Sequence, residues 1–316
     1  MEKKNSKNPS LSIVLPVFEE ADLIQGLIEG IFGVLQDEYS ELEVVVVDDG
    51  SEDGTTEVLK QLKREYGDVL VVARHLINRG NGAALRTGIN IARGEIVVTM
   101  DADGQHSPDD IPNLLAQIPP YDLIIGARLE DYEGGWYRNA ANGFYNRFAS
   151  WLSRREIKDL TSGFRAMRRD VVRHFLPLFP QGFSAPTTTT LAFIKGGYNV
   201  GFLPIHVQQR KAGKSKIRIF EDGSRFILII IRMVMLYDPL RIFIPAGVAL
   251  FLLGCMAWGA GLVNAGRLVF PNSAIFLYSA AMLIWLLGLI ADQLANTRIS
   301  YHGDEIVNLL NQDQSQ

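Results

Sequence analysis

The chain has 316 residues, a formal net charge of −4 and a single cysteine, Cys255. One cysteine excludes intrachain disulfides and a Cys-rich metal site. The acidic balance, with no basic stripe interleaved with aromatics in the first two hundred positions, argues against nucleic acid as a partner. The length fits one large domain with an appendage. Mean hydropathy is +0.09, high for a wholly soluble protein, and the apolar excess is concentrated between residues 226 and 295.

In chain order, Met1–Ser10 is polar and Lys-rich with no apolar run behind it, so it does not read as a secretory signal. The globular part is therefore expected to stay in the cytoplasm. Leu11–Leu15, Glu43–Val47, Val69–Ala73, Glu95–Met100 and Asp122–Ile125 are short β-branched runs that predict buried strands. Between them, Ala21–Gln36, Thr55–Tyr66, Ala83–Ala92 and Asp109–Ile118 carry apolar residues at helical spacing. This alternation predicts an α/β domain with a mostly parallel sheet covered on both faces. In such sheets ligands bind at the carboxyl ends of the strands. From about 126 to 215 the rhythm breaks into loops, an aromatic-rich helix and strands near Phe164–Met167 and Phe202–Val207.

The last third changes character. Phe226–Leu236 is almost continuously apolar but too short to span a bilayer, which predicts an interfacial helix within 219–241. Ile242–Val263 and Ala274–Ala295 have the length that about 30 Å of hydrocarbon requires. The only ionisable group in either is Asp292. Arg241 and Arg298 flank the outer ends, whereas the connector holds only Arg267, and that bias places both flanks on the cytoplasmic side. The expected organisation is a globular domain over 1–218, the interfacial helix over 219–241, and a two-span anchor with its tail over 242–316.

Two motifs follow predicted strands. Asp48-Asp49-Gly50-Ser51-Glu52-Asp53-Gly54-Thr55 combines carboxylates, which accept from a base N–H or ribose hydroxyls, with turn-forming glycines. Asp53 and Thr55 also suit a helix N-cap. Asp101-Ala102-Asp103-Gly104-Gln105-His106 places two carboxylates in one turn, where they would repel without a cation. Hard oxygen ligands suit Mg²⁺ or Mn²⁺, which keep open positions for diphosphate oxygens. Arg79-Gly80-Asn81-Gly82 is neither a P-loop nor a full dinucleotide fingerprint, and is expected to open a helix facing the site. Arg128, Arg138, Arg165 and the run Arg210-Lys211-Ala212-Gly213-Lys214-Ser215-Lys216 supply cations for phosphates. The run's position before the interfacial helix also fits attraction to anionic headgroups.

Together these motifs resemble the family 2 glycosyltransferases, in particular the dolichol-phosphate mannose synthase and bacterial polyprenyl-phosphate glycosyltransferase group. The likeness runs from about Leu11 to Lys216, and the paired spans resemble the membrane-anchored members. It implies a glycosyltransferase A-type fold, a Mg²⁺ or Mn²⁺ cofactor, a nucleotide-sugar donor linked to GDP or UDP, and a polyprenyl phosphate acceptor. On this resemblance Pro16, Phe18, Glu20, Asp48, Asp49, Asn78, Gly80, Asp101, Ala102 and Arg128 bind the donor, and Asp101, Asp103 and Gln105 hold the metal. Asp103, Asp159, Arg138, Arg165 and Arg210 are placed at the catalytic centre, and Ser162, Arg210, Lys214, Ser215 and Lys216 at the acceptor phosphate. Phe18-Glu19 replaces the group's usual Tyr-Asn, and Thr187–Thr190 stands where relatives carry a glutamate.

The implied reaction is a single, inverting displacement at the anomeric carbon. A phosphate with a second pKa near 6 is largely ionised at neutral pH, so it needs no strong base; a hydroxyl acceptor would. Two rival expectations stand beside it: transfer to a hydroxyl of a lipid-linked oligosaccharide, and an idle nucleotide-sugar-binding membrane scaffold. The sequence leaves a homo-oligomer open.

Overall fold

The computed structural model describes residues 9–128, 136–180, 184–207, 219–265 and 270–312, with side chains over 9–128, 143–180, 184–207, 227–263 and 270–295. The chain divides into two compact units, Met1–Ile229 and Ile230–Gln316.

Seven strands form one sheet: β1 Leu11–Val17, β2 Leu42–Asp48, β3 Leu70–Arg74, β4 Ile96–Thr99, β5 Leu123–Arg128, β6 Arg165–Arg168 and β7 Val200–Ile205. Their order is β3-β2-β1-β4-β6-β5-β7. Every pairing is parallel except those of β6, which runs against both β4 and β5. β1 is buried along its whole length and β2 at all but Glu43, the continuous apolar runs of a sheet covered on both faces. Helices α1 (Ala21–Leu35), α2 (Thr55–Tyr66) and α3 (Asn81–Ile91) connect the parallel strands. α1 buries Ile24, Leu27, Ile28, Ile31, Phe32 and Leu35, the three-to-four spacing that pointed to a helix. α4 is shorter than its periodicity suggested, covering only Ile111–Leu115 after a 3₁₀ turn at Pro108–Asp110. α5 (Trp136–Ser153), α6 (Arg169–Phe175) and α7 (Ala185–Lys195) complete this part of the chain, and α8 (Ile219–Tyr237) carries it across the division between the units. That division falls inside α8.

The direction of β6 fixes where the site can form. β6 is antiparallel to β4, so its first residues lie at the edge where β4 ends. The turns after β1, β2, β3 and β4, the end of β5 and the segment leading into β6 therefore share one edge.

The buried Ser12 secures the opposite end. Its hydroxyl donates to Glu43 Oε1 at 2.6 Å and accepts from the Gly94 amide at 2.7 Å, fixing the turn that feeds β4. The second unit contains α9 (Leu240–Ala265) and α10 (Asn272–Gln312). Leu240–Val263 and Asn272–Ala295 are each 24 residues long with hydropathy 2.0 and 2.3, long and apolar enough to cross a membrane. Only 11% and 17% of their most apolar windows are buried, unlike the core helix of a soluble protein. The two helices pack through small residues: Gly247 lies against Trp285, Gly254 against Tyr278 and Gly288 against Phe243.

Removing a buried hydroxyl that bridges two partners leaves the Gly94 N–H unpaired. Ser12→Ala is expected to lower unfolding free energy by about 1–3 kcal/mol, read as a lower urea midpoint in detergent with an unchanged slope.

Candidate active site

The first two turns are stitched together backbone to side chain. The Glu19 amide donates to Ser51 Oγ at 2.9 Å, the Glu20 amide to Thr55 Oγ1 at 3.1 Å and the Ala21 amide to Asp53 Oδ2 at 3.2 Å. Asp53 also accepts from the Thr55 amide at 3.1 Å, but the cap position of α2 is Gly54, with no side-chain cap bond, so neither Asp53 nor Thr55 fills the N-cap role expected of them. Burial would raise the Asp53 carboxyl, but its hydrogen bonds with Thr55 and Ala21 outweigh this and hold it below the ordinary value. Glu19 has φ +57°, a left-handed conformation that costs a non-glycine residue about 1–2 kcal/mol. Pro16 is buried in β1, while Phe18 and Glu20 are half-buried at the mouth of the turn.

Asp48 and Asp49 face inward. Asp48 is fully buried, accepting from the Ser51 amide at 2.9 Å and the Thr56 hydroxyl at 2.5 Å, with Arg74 Nε at 3.5 Å. Both of its oxygens are engaged and closed off from solvent, so here Asp48 fastens its own turn rather than offering an open edge to a nucleobase. Asp49 fastens the next one. It contacts His75 Nδ1 at 2.6 Å and accepts from the Arg79 and Gly80 amides at 3.0 and 2.6 Å. His75 Nε2 lies 2.9 Å from Thr87 Oγ1 on α3. Asn78 Oδ1 accepts from the Gly80 amide at 3.0 Å and so shapes the loop from within. α3 begins at Asn81, two residues earlier than its periodicity indicated, because Gly80 at φ +90° makes the turn.

That early start brings Asn81 to the acidic turn. Its Nδ2 donates to Asp101 Oδ1 at 3.2 Å. Asp103 accepts from the Gln105 amide at 3.2 Å, around Gly104 at φ +72°. Ala102 is buried, whereas Asp101, Asp103 and Gln105 are partly open. Behind Asp101 stands Gly163, where an added Cβ would meet Asp101 Cγ at 2.9 Å and Oδ1 at 3.1 Å. Thr99 Oγ1 donates to the Gly163 carbonyl at 2.7 Å and holds that wall in place.

Asp159 gathers the far side. Arg128 donates to it through Nε at 2.8 Å and Nη2 at 3.0 Å, a bidentate pair, and the Thr161 and Ser162 amides add bonds at 3.0 and 3.1 Å. Burial alone would raise the Asp159 carboxyl, but Arg128 outweighs it and holds the group ionised below the usual range. Ser162 is itself buried within this turn. Burial pushes His106 down to about 4, opposed by Asp103 and Asp159 and assisted by Arg128, so its imidazole is neutral at pH 7. Its ring stacks on Phe164 at 5.1 Å, and its Nδ1 is buried without a hydrogen-bond partner.

Arg165, placed by sequence at the catalytic centre, points into the core. It is fully buried and donates to the carbonyls of Ser162 at 2.6 Å, Pro186 at 2.7 Å and Leu160 at 3.3 Å, and to Thr190 Oγ1 at 2.9 Å. Burial lowers its pKa to about 9, with Asp159 and Asp101 acting in the opposite direction. It braces the segment behind Asp101 and Asp159 rather than opening toward a ligand. Thr190 of the Thr187–Thr190 run is one of its partners. Arg138 lies on α5, but its side chain is outside the described residues, as are Arg210, Lys214, Ser215 and Lys216.

Among the described residues no three His, Cys, Asp or Glu side chains form a closed metal cage. The chemistry of the donor set nevertheless fits a hard divalent cation. Asp101 and Asp103 offer oxygen ligands on one partly open turn, leaving coordination positions for a ligand's own oxygens.

A seven-stranded mixed sheet with its polar turns on one edge is the architecture of glycosyltransferase A-type enzymes, and solved structures share it. Glucosyl-3-phosphoglycerate synthase from Mycobacterium tuberculosis, in complex with Mn²⁺, UDP and phosphoglyceric acid, aligns with TM-score 0.55 at 19% identity over 72% of this chain and 78% of that one. A mannosyltransferase from Pyrobaculum calidifontis in complex with GDP-Man and Mn²⁺ aligns with TM-score 0.50 at 20% identity over 91% and 88%. Residues 12–176 match the model of glycosyl transferase family 2, and the chain belongs to that family. Residues 238–297 match the GtrB C-terminal hairpin. Curated relatives include the undecaprenyl-phosphate 4-deoxy-4-formamido-L-arabinose transferases of Edwardsiella ictaluri and Aeromonas hydrophila. The first is 27% identical over 65% of this chain and 62% of its own length, the second 28% over 56% and 57%. The chain thus spans about three-fifths of the curated relatives it matches.

Several residues that shape the site carried little readable signal. His75 and Thr99 sit outside any motif, Asn81 reads only as part of the Arg79–Gly82 stretch expected to open a helix facing the site, and Gly163 only as part of Ser-Gly-Phe-Arg. Gly163→Ala tests that wall: sugar transfer is expected to fall at least about 10-fold, or 1.4 kcal/mol of barrier, as Asp101 is displaced. Unchanged transfer in a folded variant would show that Asp101 has another resting place.

Proposed function

We propose that the chain transfers a sugar, with inversion, from a GDP- or UDP-linked donor to a polyprenyl phosphate, giving a polyprenyl-phosphate monosaccharide. The observation that carries this reading is the pairing, in one chain, of a family 2 domain with a GtrB-type hairpin whose two helices are long and apolar enough to cross a membrane. The names of the curated relatives support the same acceptor class. In this reading the polar edge faces the cytoplasm, with Arg241 and Arg298 flanking the spans on that side.

Asp101, Asp103 and Gln105 hold Mg²⁺ or Mn²⁺, which when bound neutralises the diphosphate of the departing nucleotide. The turns around Phe18–Glu20 and Asn78–Gly80 bind the nucleotide, shaped by Asp48 and Asp49 from behind. Arg128, locked by Asp159, presents a fixed cation to the donor phosphates. Arg138, Arg210, Lys214, Ser215 and Lys216 receive the acceptor phosphate.

The state of Asp159 favours a phosphate over a hydroxyl as nucleophile. A general base needs an open lone pair and a pKa near the working pH. Asp159 has its oxygens filled by Arg128, Thr161 and Ser162 and a depressed pKa. His106, at about 4, is also a poor base at neutral pH. An acceptor that arrives already ionised asks for neither.

With the purified chain, polyprenyl phosphate, Mn²⁺ or Mg²⁺ and a panel of UDP- and GDP-sugars, Asp103→Ala is expected to lower transfer at least about 100-fold, roughly 2.7 kcal/mol. Mn²⁺-dependent nucleotide binding should weaken in parallel by calorimetry. Near-normal transfer with the fold intact would defeat the metal assignment. In the same assay the free alcohol, polyprenol, should not turn over. Comparable turnover of alcohol and phosphate would point to a hydroxyl acceptor, and no transfer with any donor to an idle scaffold.

A further inference from the structure

The loop from Leu76 to Gly80 takes its shape from hydrogen bonds rather than from burial. Leu76, Ile77, Asn78 and Arg79 are all exposed, Leu76 and Ile77 at 99% and 72%, so their apolar side chains bury little. Gly50 lies against the loop, where an added Cβ would meet the Ile77 carbonyl carbon at 2.7 Å and the Asn78 nitrogen at 2.8 Å. The bonds that fasten the loop's end to the sheet run from the Arg79 and Gly80 amides to Asp49, at 3.0 and 2.6 Å. Asp49 is held in turn by His75, the first residue after β3. The His75 amide donates to the Asp48 carbonyl at 2.8 Å, so its main chain is fixed to the end of β2. Its buried ring bridges two partners: Nδ1 lies 2.6 Å from Asp49 Oδ1, and Nε2 lies 2.9 Å from Thr87 Oγ1. A carboxylate only accepts, so Nδ1 carries the proton and Nε2 meets the hydroxyl.

The two arms of this bridge do different things. The Thr87 arm ties His75 to α3, a helix already seated by the buried Ala83, Ala84, Leu85 and Ile89. The Asp49 arm aims a side chain whose two torsions are otherwise free to change rotamer. We propose that His75 is a positioning residue for the donor: by holding Asp49 in one rotamer it keeps the Asn78–Gly80 loop in its nucleotide-binding shape. The inference rests on the reading above that this loop meets the nucleotide, whereas the aiming of Asp49 through Nδ1 is a property of the chain alone. With that bond lost, Asp49 turns away, the loop samples other shapes, and nucleotide affinity falls with the fraction that stays competent.

Two substitutions each remove one arm. Asparagine places its amide nitrogen where Nδ1 stands and keeps the bond to Asp49; glutamine reaches the position of Nε2 and keeps only the bond to Thr87. Each loses one hydrogen bond of the bridge, so a role in stability alone would affect both alike. The full chain in detergent is followed by hydrogen exchange in the peptide covering residues 76–83 and by calorimetric titration with UDP and with GDP in Mn²⁺. In His75→Gln the Arg79 and Gly80 amides are expected to exchange at least about 10-fold faster, and affinity for whichever nucleotide the unaltered chain binds to fall at least about 10-fold. In His75→Asn both quantities are expected to stay within about threefold of the unaltered chain. Equal behaviour of the two variants, or unchanged exchange in His75→Gln, would overturn the proposal. Faster exchange with unchanged nucleotide affinity would overturn the link to the donor. Were the unaltered chain to bind neither UDP nor GDP, the donor reading itself would fail and that link with it, while exchange would still decide whether His75 aims Asp49.

Discussion

Asp48, Asp49, Asp101, Asp103 and Asp159 stand along one edge of one sheet, and carboxylates at such density repel unless each finds a donor or a cation. The chain resolves this unevenly. Asp48, Asp49 and Asp159 are buried and receive backbone amides, hydroxyls or a guanidinium from the turns beside them. Each therefore acts as a fastener, and removing any one would leave several inward donors unsatisfied. Asp101 and Asp103 remain on a partly open turn. The acids that the fold satisfies itself make a rigid cradle, and the pair it leaves accessible is the one suited to a cation.

Much of this was legible in the sequence. The β-branched runs located the strands to within a residue or two, except that β5 runs on to Arg128 rather than ending at Ile125, and Thr55–Tyr66 matched its helix at both ends. The acidic motifs followed strands, and a parallel sheet brings strand ends together, so their gathering could be foreseen. Direction and facing could not. Nothing in Arg165–Arg168 reveals that β6 runs backward, because strand polarity depends on where the preceding loop returns. Asp48 and Asp49 read as ligand contacts because a strand-end carboxylate looks the same whether it faces a nucleotide or the next turn. Arg165 misleads for the same reason: only burial shows that its donors are spent on Ser162, Pro186, Leu160 and Thr190.

Glu19 shows a different limit. Asparagine tolerates the left-handed region better than most residues, yet it is a glutamate that adopts it here, at φ +57°. The bonds from its own amide and its neighbours' amides to Ser51, Thr55 and Asp53 over-determine the turn and hold the residue in that conformation. Local propensity alone would have placed this residue elsewhere.

The antiparallel insertion of β6 also has a consequence for how the protein comes into being. β1, β2 and β3 pair in sequence-near steps, so the turn carrying Asp48 can form early on a growing chain, whereas β4 returns from Ile96 to Leu11 of β1 before the turn carrying Asp101 is in place. The wall behind Asp101 arrives from Gly163, 64 residues after the Thr99 that anchors it. β5, earlier in sequence than β6, reaches the sheet only through β6, and β7 joins it from the outer side. Closing that long loop pays its entropy before any contact rewards it. A chain halted before β6 thus has the acidic turn without its backing and Arg128 without Asp159, so the site matures as one of the last events of folding.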